Sequence, residues 1–212
     1  MVRFVSAARD NGGAQTRVSS HSYCVLGIDP AAAGATGFGV VERHGNRCRL
    51  LRLGALRPAK PPAAINIHLC RIHRLITELI QEFQPRAVAL ESVFAALNVK
   101  AALRLAEVRG VVLLAAAQEG VPAFSYSPRE VKATVAGYGH AGKEQVQQMV
   151  RALLSMTETP EPADASDALA LALCHIHIAE GKERVAAAVT PRSPAEVRRG
   201  NREPPARLPS VP

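Results

Sequence analysis

The sequence predicts an α/β chain in which a mixed five-stranded sheet is flanked by helices. Three observations lead there: consecutive apolar or alternating segments early in the chain, an amphipathic helical stretch directly after them, and two later apolar runs separated by helical sequence. Tyr23 to Ile28 is an apolar run, Thr36 to Glu42 carries glycines among its apolar residues, and Cys48 to Leu56 alternates, so these read as an antiparallel meander with short turns. Ile65, Leu69, Ile72, Leu75, Ile76, Leu79, Ile80 and Phe83 then recur at three- and four-residue spacing, which puts one apolar face on a helix that Pro85 stops. Ala87-Val88-Ala89-Leu90 is apolar on both faces, the pattern of a strand covered by helices on either side, and it ends at Glu91. A helix from Asn98 to Gln118 and a short strand from Val121 to Phe124 follow. The remainder is helical: one helix opens at Ser127-Pro128, one runs from Lys143 to Leu154, and one from Asp164 to Ile178.

Three strands, then helix, strand, helix, strand and three helices is the order of an RNase H-like fold, with a meander first and parallel crossovers after. The nuclease-like domain is expected over residues 23–180. Residues 1–22 mix Arg3, Arg9 and Arg17 with serines and glycines, lack the apolar core of a secretory signal, and read as a disordered extension. Residues 181–212 read as a basic tail rich in proline and arginine, a composition that cannot form a packed core.

The chain of 212 residues is 48% hydrophobic and 21% charged, and no run approaches the roughly 18 apolar residues of a membrane span. A cytoplasmic protein with no membrane partner is expected. Its four cysteines form no CxxC pair, which argues against zinc and for buried thiols. The net charge of +8 invites a polyanionic partner. About half of that excess lies between Lys182 and Arg207, however, so the charge alone is weak support for nucleic-acid binding.

The acids are more informative. Asp29 and Glu91 each follow a hydrophobic run directly, in LGIDP and VALES, at the ends of what should be adjacent central strands. A carboxylate there is costly unless something cationic attends it. Asp164 and Asp167 stand at i, i+3 near the start of the last helix and share one face. Each has an ordinary explanation when taken singly: Asp164 as a helix cap and Asp29 as a turn-former before Pro30. Together they form a set of hard oxygen donors suited to a divalent cation, magnesium above all.

LGIDP, ALESVF, AEVRG, REVKATVAGYGHAGKEQVQQMV and DASDALALALCH resemble the corresponding blocks of RuvC-type crossover junction endodeoxyribonucleases, over about residues 23–178. The resemblance implies a homodimer that binds four-way DNA junctions and nicks two opposed strands symmetrically, in recombination and repair. It implies Mg2+ as cofactor, two ions per active site with Mn2+ as a substitute, and the RuvA–RuvB branch-migration complex as partner. Asp29, Glu91, Asp164 and Asp167 match the family's catalytic, metal-binding acids. Phe94 matches an aromatic set against an unpaired base, and Lys132 and Lys143 match lysines near the scissile phosphate. The chain departs from the family pattern at Ala31, where glycine is expected after Asp-Pro. The stretch from Ala31 to Ala35 is also one residue longer than expected, so the turn beside Asp29 should differ in shape. Rival readings are a sugar kinase or actin-like ATPase, for which no second phosphate loop is present, a catalytically dead junction binder, and an RNA-processing nuclease of the same fold.

Overall fold

The computed structural model describes residues 22–59 apart from Ala33, 65–92 and 99–189. The chain divides into two units, Met1–Ile178 and Ala179–Pro212. Within the second, residues 179–189 are helical, and the remainder lies outside the described residues, as do 1–21. Among the described residues no helix is long and apolar enough to cross a membrane.

The first unit is built on strands β1 (Tyr23–Asp29), β2 (Thr36–His44), β3 (Arg47–Leu56), β4 (Ala87–Glu91) and β5 (Ala123–Tyr126). They form one sheet in the order β3-β2-β1-β4-β5, antiparallel through the meander and parallel from β1 to β4 to β5. Helices α1 (Ile65–Phe83) and α2 (Val99–Gln118) are the crossovers, and α3 (Pro128–Ala136), α4 (Lys143–Leu153) and α5 (Ala163–Val189) follow the last strand. This is the mixed, helix-flanked sheet and the element order expected from sequence.

Strand alternation sorts the core into two clusters. Leu26, Ile28, Phe38, Val40, Val88 and Leu90 face α1 and α2, where Ile72, Ile76, Val112 and Ala115 meet them. Val25, Val41, Leu53, Ala89 and Tyr126 face the other way, toward residues of α3, α4 and α5. From Ala165 to Ile176 every residue of α5 except Asp167 is buried, which is why that stretch is apolar nearly all round instead of amphipathic. Truncating Leu169 or Leu173, both fully buried, to alanine should cost about 2–5 kcal/mol.

Helix α5 lies on the sheet where the strands have no side chains. Gly27 and Gly39 are cross-strand partners, and Gly37 is the partner of Asp29. A Cβ at Gly27 would stand 1.9 Å from the Ala168 carbonyl oxygen, and one at Gly37 2.0 Å from the Asp164 carbonyl oxygen. At Gly39 it would meet Leu169 Cδ2 at 2.6 Å. These glycines form a trough that lets the first turns of α5 rest on backbone.

Several boundaries shift by a residue or two from the sequence reading, and two differences have a clear physical cause. β5 begins at Ala123, not Val121, because Val121 belongs to the end of α2: Gly120 is left-handed (φ 70°), its N–H donates to the Ala117 carbonyl at 3.1 Å, and the Val121 N–H donates to the Ala116 carbonyl at 2.9 Å. That is a glycine-terminated helix cap. α5 continues past Ile178 to Val189, through the alanine-rich stretch Ala186-Ala187-Ala188, where no proline interrupts it. All the cysteines are free. Cys174 is buried, Cys24 and Cys48 are half-buried, and Cys70, which falls off the apolar face of α1, is exposed.

Candidate active site

Parallel pairing brings the first two acids together. Ile28 is in register with Leu90, so the next residues, Asp29 and Glu91, end adjacent strands on the α5 side of the sheet. Pro30, which lacks an N–H for the ladder, follows Asp29 as β1 stops. Glu91 is held from behind. Its carbonyl accepts from Arg109 Nη1 at 2.7 Å, the other Arg109 terminal nitrogen donates to Ser125 Oγ, and the Ser92 N–H donates to the Tyr126 carbonyl at 2.8 Å. One guanidinium on α2 thus ties the end of β4 to β5.

The second pair arrives on α5. The N–H groups of Ala165 and Ser166 both donate to the Pro162 carbonyl, at 2.9 and 3.3 Å, which fixes the start of the helix. Asp164 lies in the first turn, where the helix dipole favours a negative charge. Asp167 lies one turn on and accepts from Lys143 Nζ at 2.8 Å. Lys143 opens α4, and Lys132 sits within α3, whose start is fixed by a reciprocal cap: Glu130 N–H donates to Ser127 Oγ at 3.2 Å and Ser127 N–H donates to Glu130 Oε2 at 2.7 Å.

Asp29, Glu91, Asp167, Lys132 and Lys143 line one cavity of about 280 Å³, with Pro128, Val131 and Val146 among its walls. Asp164 is not among the lining residues, but its charge acts on Asp29. The Asp29 carboxyl is pushed up to about 7, first by burial and then by repulsion from Glu91, Asp167 and Asp164, with Lys143 opposing. Burial and Asp167 likewise raise Glu91. The hydrogen bond from Lys143 to Asp167 raises the lysine, so it holds its proton. Phe94 lies outside the described residues.

The donor chemistry suits a hard divalent cation, since every acid in the group offers oxygen and the buried cluster carries more negative charge than Lys143 offsets. As the side chains stand, no group of three or more carboxylate, imidazole or thiol side chains among the described residues is gathered closely enough to hold a metal ion. The fit is one of donor type and charge, with side-chain rotation still required.

The sequence reading missed the support around these acids. Arg109 stands in the AEVRG block and Gly37 and Gly39 in the TGFG block, but no pattern in one sequence says that the first braces Glu91 and the others seat α5. Tyr126 Oη and His175 Nδ1 also share a buried hydrogen bond of 2.6 Å that joins β5 to α5. Burial, with lesser repulsion from Cys174 and Glu130, pushes the Tyr126 hydroxyl up to about 12, so it stays protonated.

Comparison with known proteins gives the family of the chain and of its fold. The family model described as crossover junction endodeoxyribonuclease RuvC matches residues 25–175. A crossover junction endodeoxyribonuclease RuvC from Pelotomaculum thermopropionicum is 44% identical over 155 residues, which is 72% of this chain and 92% of that protein. The solved structure of Thermus thermophilus RuvC superposes with a TM-score of 0.69 at 38% identity, covering 75% of this chain and 96% of that one. The structure of the same RuvC in complex with a Holliday junction substrate gives 0.70 at 38% identity, covering 74% and 94%. With β4, both crossovers and the acid-bearing start of α5 within the matched span, this chain belongs to the RuvC family of crossover junction endodeoxyribonucleases.

Proposed function

We propose that this chain is a divalent-metal-dependent endonuclease that binds four-way DNA junctions and resolves them by paired symmetric nicks. The observation that carries the reading is the convergence of Asp29, Glu91 and Asp167 on one cavity rimmed by Lys132 and Lys143. Membership in the family implies dependence on a divalent metal. Asp29, Glu91, Asp164 and Asp167 would hold it, as two Mg2+ ions with Mn2+ as a substitute. When bound, such ions supply an activated water and charge stabilisation at the phosphorus and the leaving oxygen. The chain's own groups do the rest. The carboxylates on β1 and β4 are fixed to the sheet and set the place of the reacting phosphodiester, and the lysine ammonium groups stand where negative charge develops on phosphate oxygens. Phe94 is assigned to an unpaired base at the junction, by its match to the family.

Paired nicks require two active sites, and a homodimer supplies them. α2 supports this reading: Val99, Leu103, Ala106, Gly110 and Leu114 fall on one exposed face of the helix, apolar and small, as a surface that meets a second copy would be. By its family we assign the protein to the cytoplasm, with the RuvA–RuvB branch-migration complex as partner.

The test compares a synthetic four-way junction, a linear duplex and an RNA–DNA hybrid, each with Mg2+ and with EDTA. Symmetric nicking of the junction alone, dependent on metal, is the expected result. Equal cleavage of the hybrid would transfer the assignment to an RNA-processing nuclease, and metal-independent cleavage would remove the role given to the acids.

A further inference from the structure

The turn between α3 and α4, residues 137–142, takes no part in the reading above beyond linking the helices that carry Lys132 and Lys143. It is held to one shape by several independent contacts. Gly137 adopts the left-handed conformation (φ 76°) that closes α3. Ala141 is buried, and its N–H donates to the Tyr138 carbonyl at 3.0 Å. The Gly142 N–H donates to Gln145 Oε1 at 2.8 Å as α4 begins. Gly139 lies so close to the Arg129 side chain that a Cβ there would stand 2.9 Å from Arg129 Cγ.

On this fixed turn Tyr138 is 62% exposed. Its ring centroid is 5.5 Å from that of His140, the two planes inclined at 54°. A large aromatic kept out of both core clusters, on a backbone with little freedom, is an arrangement that presents a ring to a ligand with little ordering cost on binding. Its surroundings say which ligand. Arg129 packs against Gly139 of the turn, and the turn joins the helices that carry Lys132 and Lys143. Pro128, Val131 and Lys132 of α3 and Lys143 and Val146 of α4 wall the cavity that holds the acids, and this turn joins those two walls. A strand that ran between α3 and α4 to reach the acids would meet the turn at the end where those helices join.

We propose that the 137–142 turn is a DNA-contacting element in which the Tyr138 ring stacks on an unpaired nucleobase next to the phosphodiester in the cavity, with His140 and Arg129 facing the adjoining phosphates. The inference rests on the junction-nuclease reading and adds to it a second stacking position, separate from Phe94. Aromatic rings and cations side by side are what single-stranded nucleic acid selects, because every base offers a face and every phosphate a charge.

The experiment uses the full chain, its Tyr138→Ala and Tyr138→Phe variants, and four-way junctions. Wild-type products locate the nicked phosphate, and 2-aminopurine is then placed at the bases beside it. In EDTA, Tyr138→Ala should bind the junction about ten-fold more weakly, the loss expected for one stacked base, while Tyr138→Phe retains wild-type affinity. The 2-aminopurine emission quenched by wild type should rise in Tyr138→Ala and stay quenched in Tyr138→Phe. Thermal melting confirms that each variant is folded. If wild type binds and cleaves while Tyr138→Ala matches it in affinity and emission, the turn has no such role and the nuclease reading stands. Affinity lost equally in Tyr138→Phe would transfer the effect to the hydroxyl and overturn stacking. Wild type that neither binds nor cleaves the junction in Mg2+ overturns both readings.

Discussion

Replacing Asp29 by asparagine should make the metal-free protein more stable, not less. Folding raises the carboxyl from 3.8 to about 7, through burial and the charges of Glu91, Asp167 and Asp164. The native state therefore holds the proton more tightly than the unfolded chain does. Stability is fully present below the unfolded value of 3.8 and is lost as pH rises through about 7, because above it the native state must carry the charge. At about 1.4 kcal/mol per pKa unit the whole difference would amount to about 4 kcal/mol, and solvent screening at a carboxyl that is not fully enclosed reduces this to about 2 kcal/mol. For a chain of this size that is a rise of about 4–8 °C in Tm. The assay is thermal melting of wild type and Asp29→Asn in EDTA at pH 8 and again at pH 5, then with Mg2+ at pH 8. The gain should be largest at pH 8 without metal and should shrink at pH 5. Mg2+ should stabilise wild type more than the variant, because metal binding adds stability only where the ligand is retained. A variant that melts at or below wild type at pH 8 in EDTA would refute the electrostatic account of the site.

The other predictions concern the supports of the acids. Gly37→Ala places a Cβ 2.0 Å from the Asp164 carbonyl oxygen and should cost about 1–3 kcal/mol in chemical denaturation. It should also reduce junction cleavage in Mg2+ more than junction binding in EDTA. Arg109→Ala removes the donor to the Glu91 carbonyl and should lower the single-turnover cleavage rate about ten- to hundred-fold with the fold intact by circular dichroism. Arg109→Lys should recover only part of this, because one ammonium cannot match the fork that also reaches Ser125. Ser127→Ala breaks the cap of α3 and should cost about 1 kcal/mol in urea denaturation. The Glu130 carboxyl is held below its ordinary 4.5 by its hydrogen bonds to Ser127, so its contribution is present above 4.5 and fades as pH falls through the lower native value. The Ser127→Ala deficit should accordingly be smaller at pH 3 than at pH 7.

Local periodicity made most of the sheet readable. The run of Ala87 to Leu90 is apolar on both faces because helices cover both, and Glu91 at its end stood out for that reason. Strand order and helix spacing suggested that Asp29, Glu91, Asp164 and Asp167 converge, and three of the four line one cavity, while Asp164 acts on Asp29 through its charge. Less legible was anything depending on contacts between distant segments. The end of α2 was misplaced into β5 because Val121 is β-branched, and its hydrogen bond back to Ala116 cannot be read from its neighbours. Gly27 in LGIDP reads as a flexible residue within a strand until the Ala168 carbonyl is found where its side chain would be. Arg109 reads as a solvated helix residue for the same reason. Whatever the shape of the turn from Ala31 to Ala35, β1 ends at Asp29 with Gly37 as its partner.

The trough of glycines makes α5 a fixture in a way that α3 and α4 are not. Asp164 and Asp167 ride on the same helix whose next turns form the centre of one core cluster, and Asp29 and Glu91 are anchored in the sheet beneath it. The acids therefore have no mobile backbone between them, and any adjustment needed to gather them around an ion falls to side-chain torsions. The two lysines at the cavity, Lys132 and Lys143, stand instead on the short helices α3 and α4. At the cavity, acids fixed to the sheet and the long helix thus face lysines carried on two short ones.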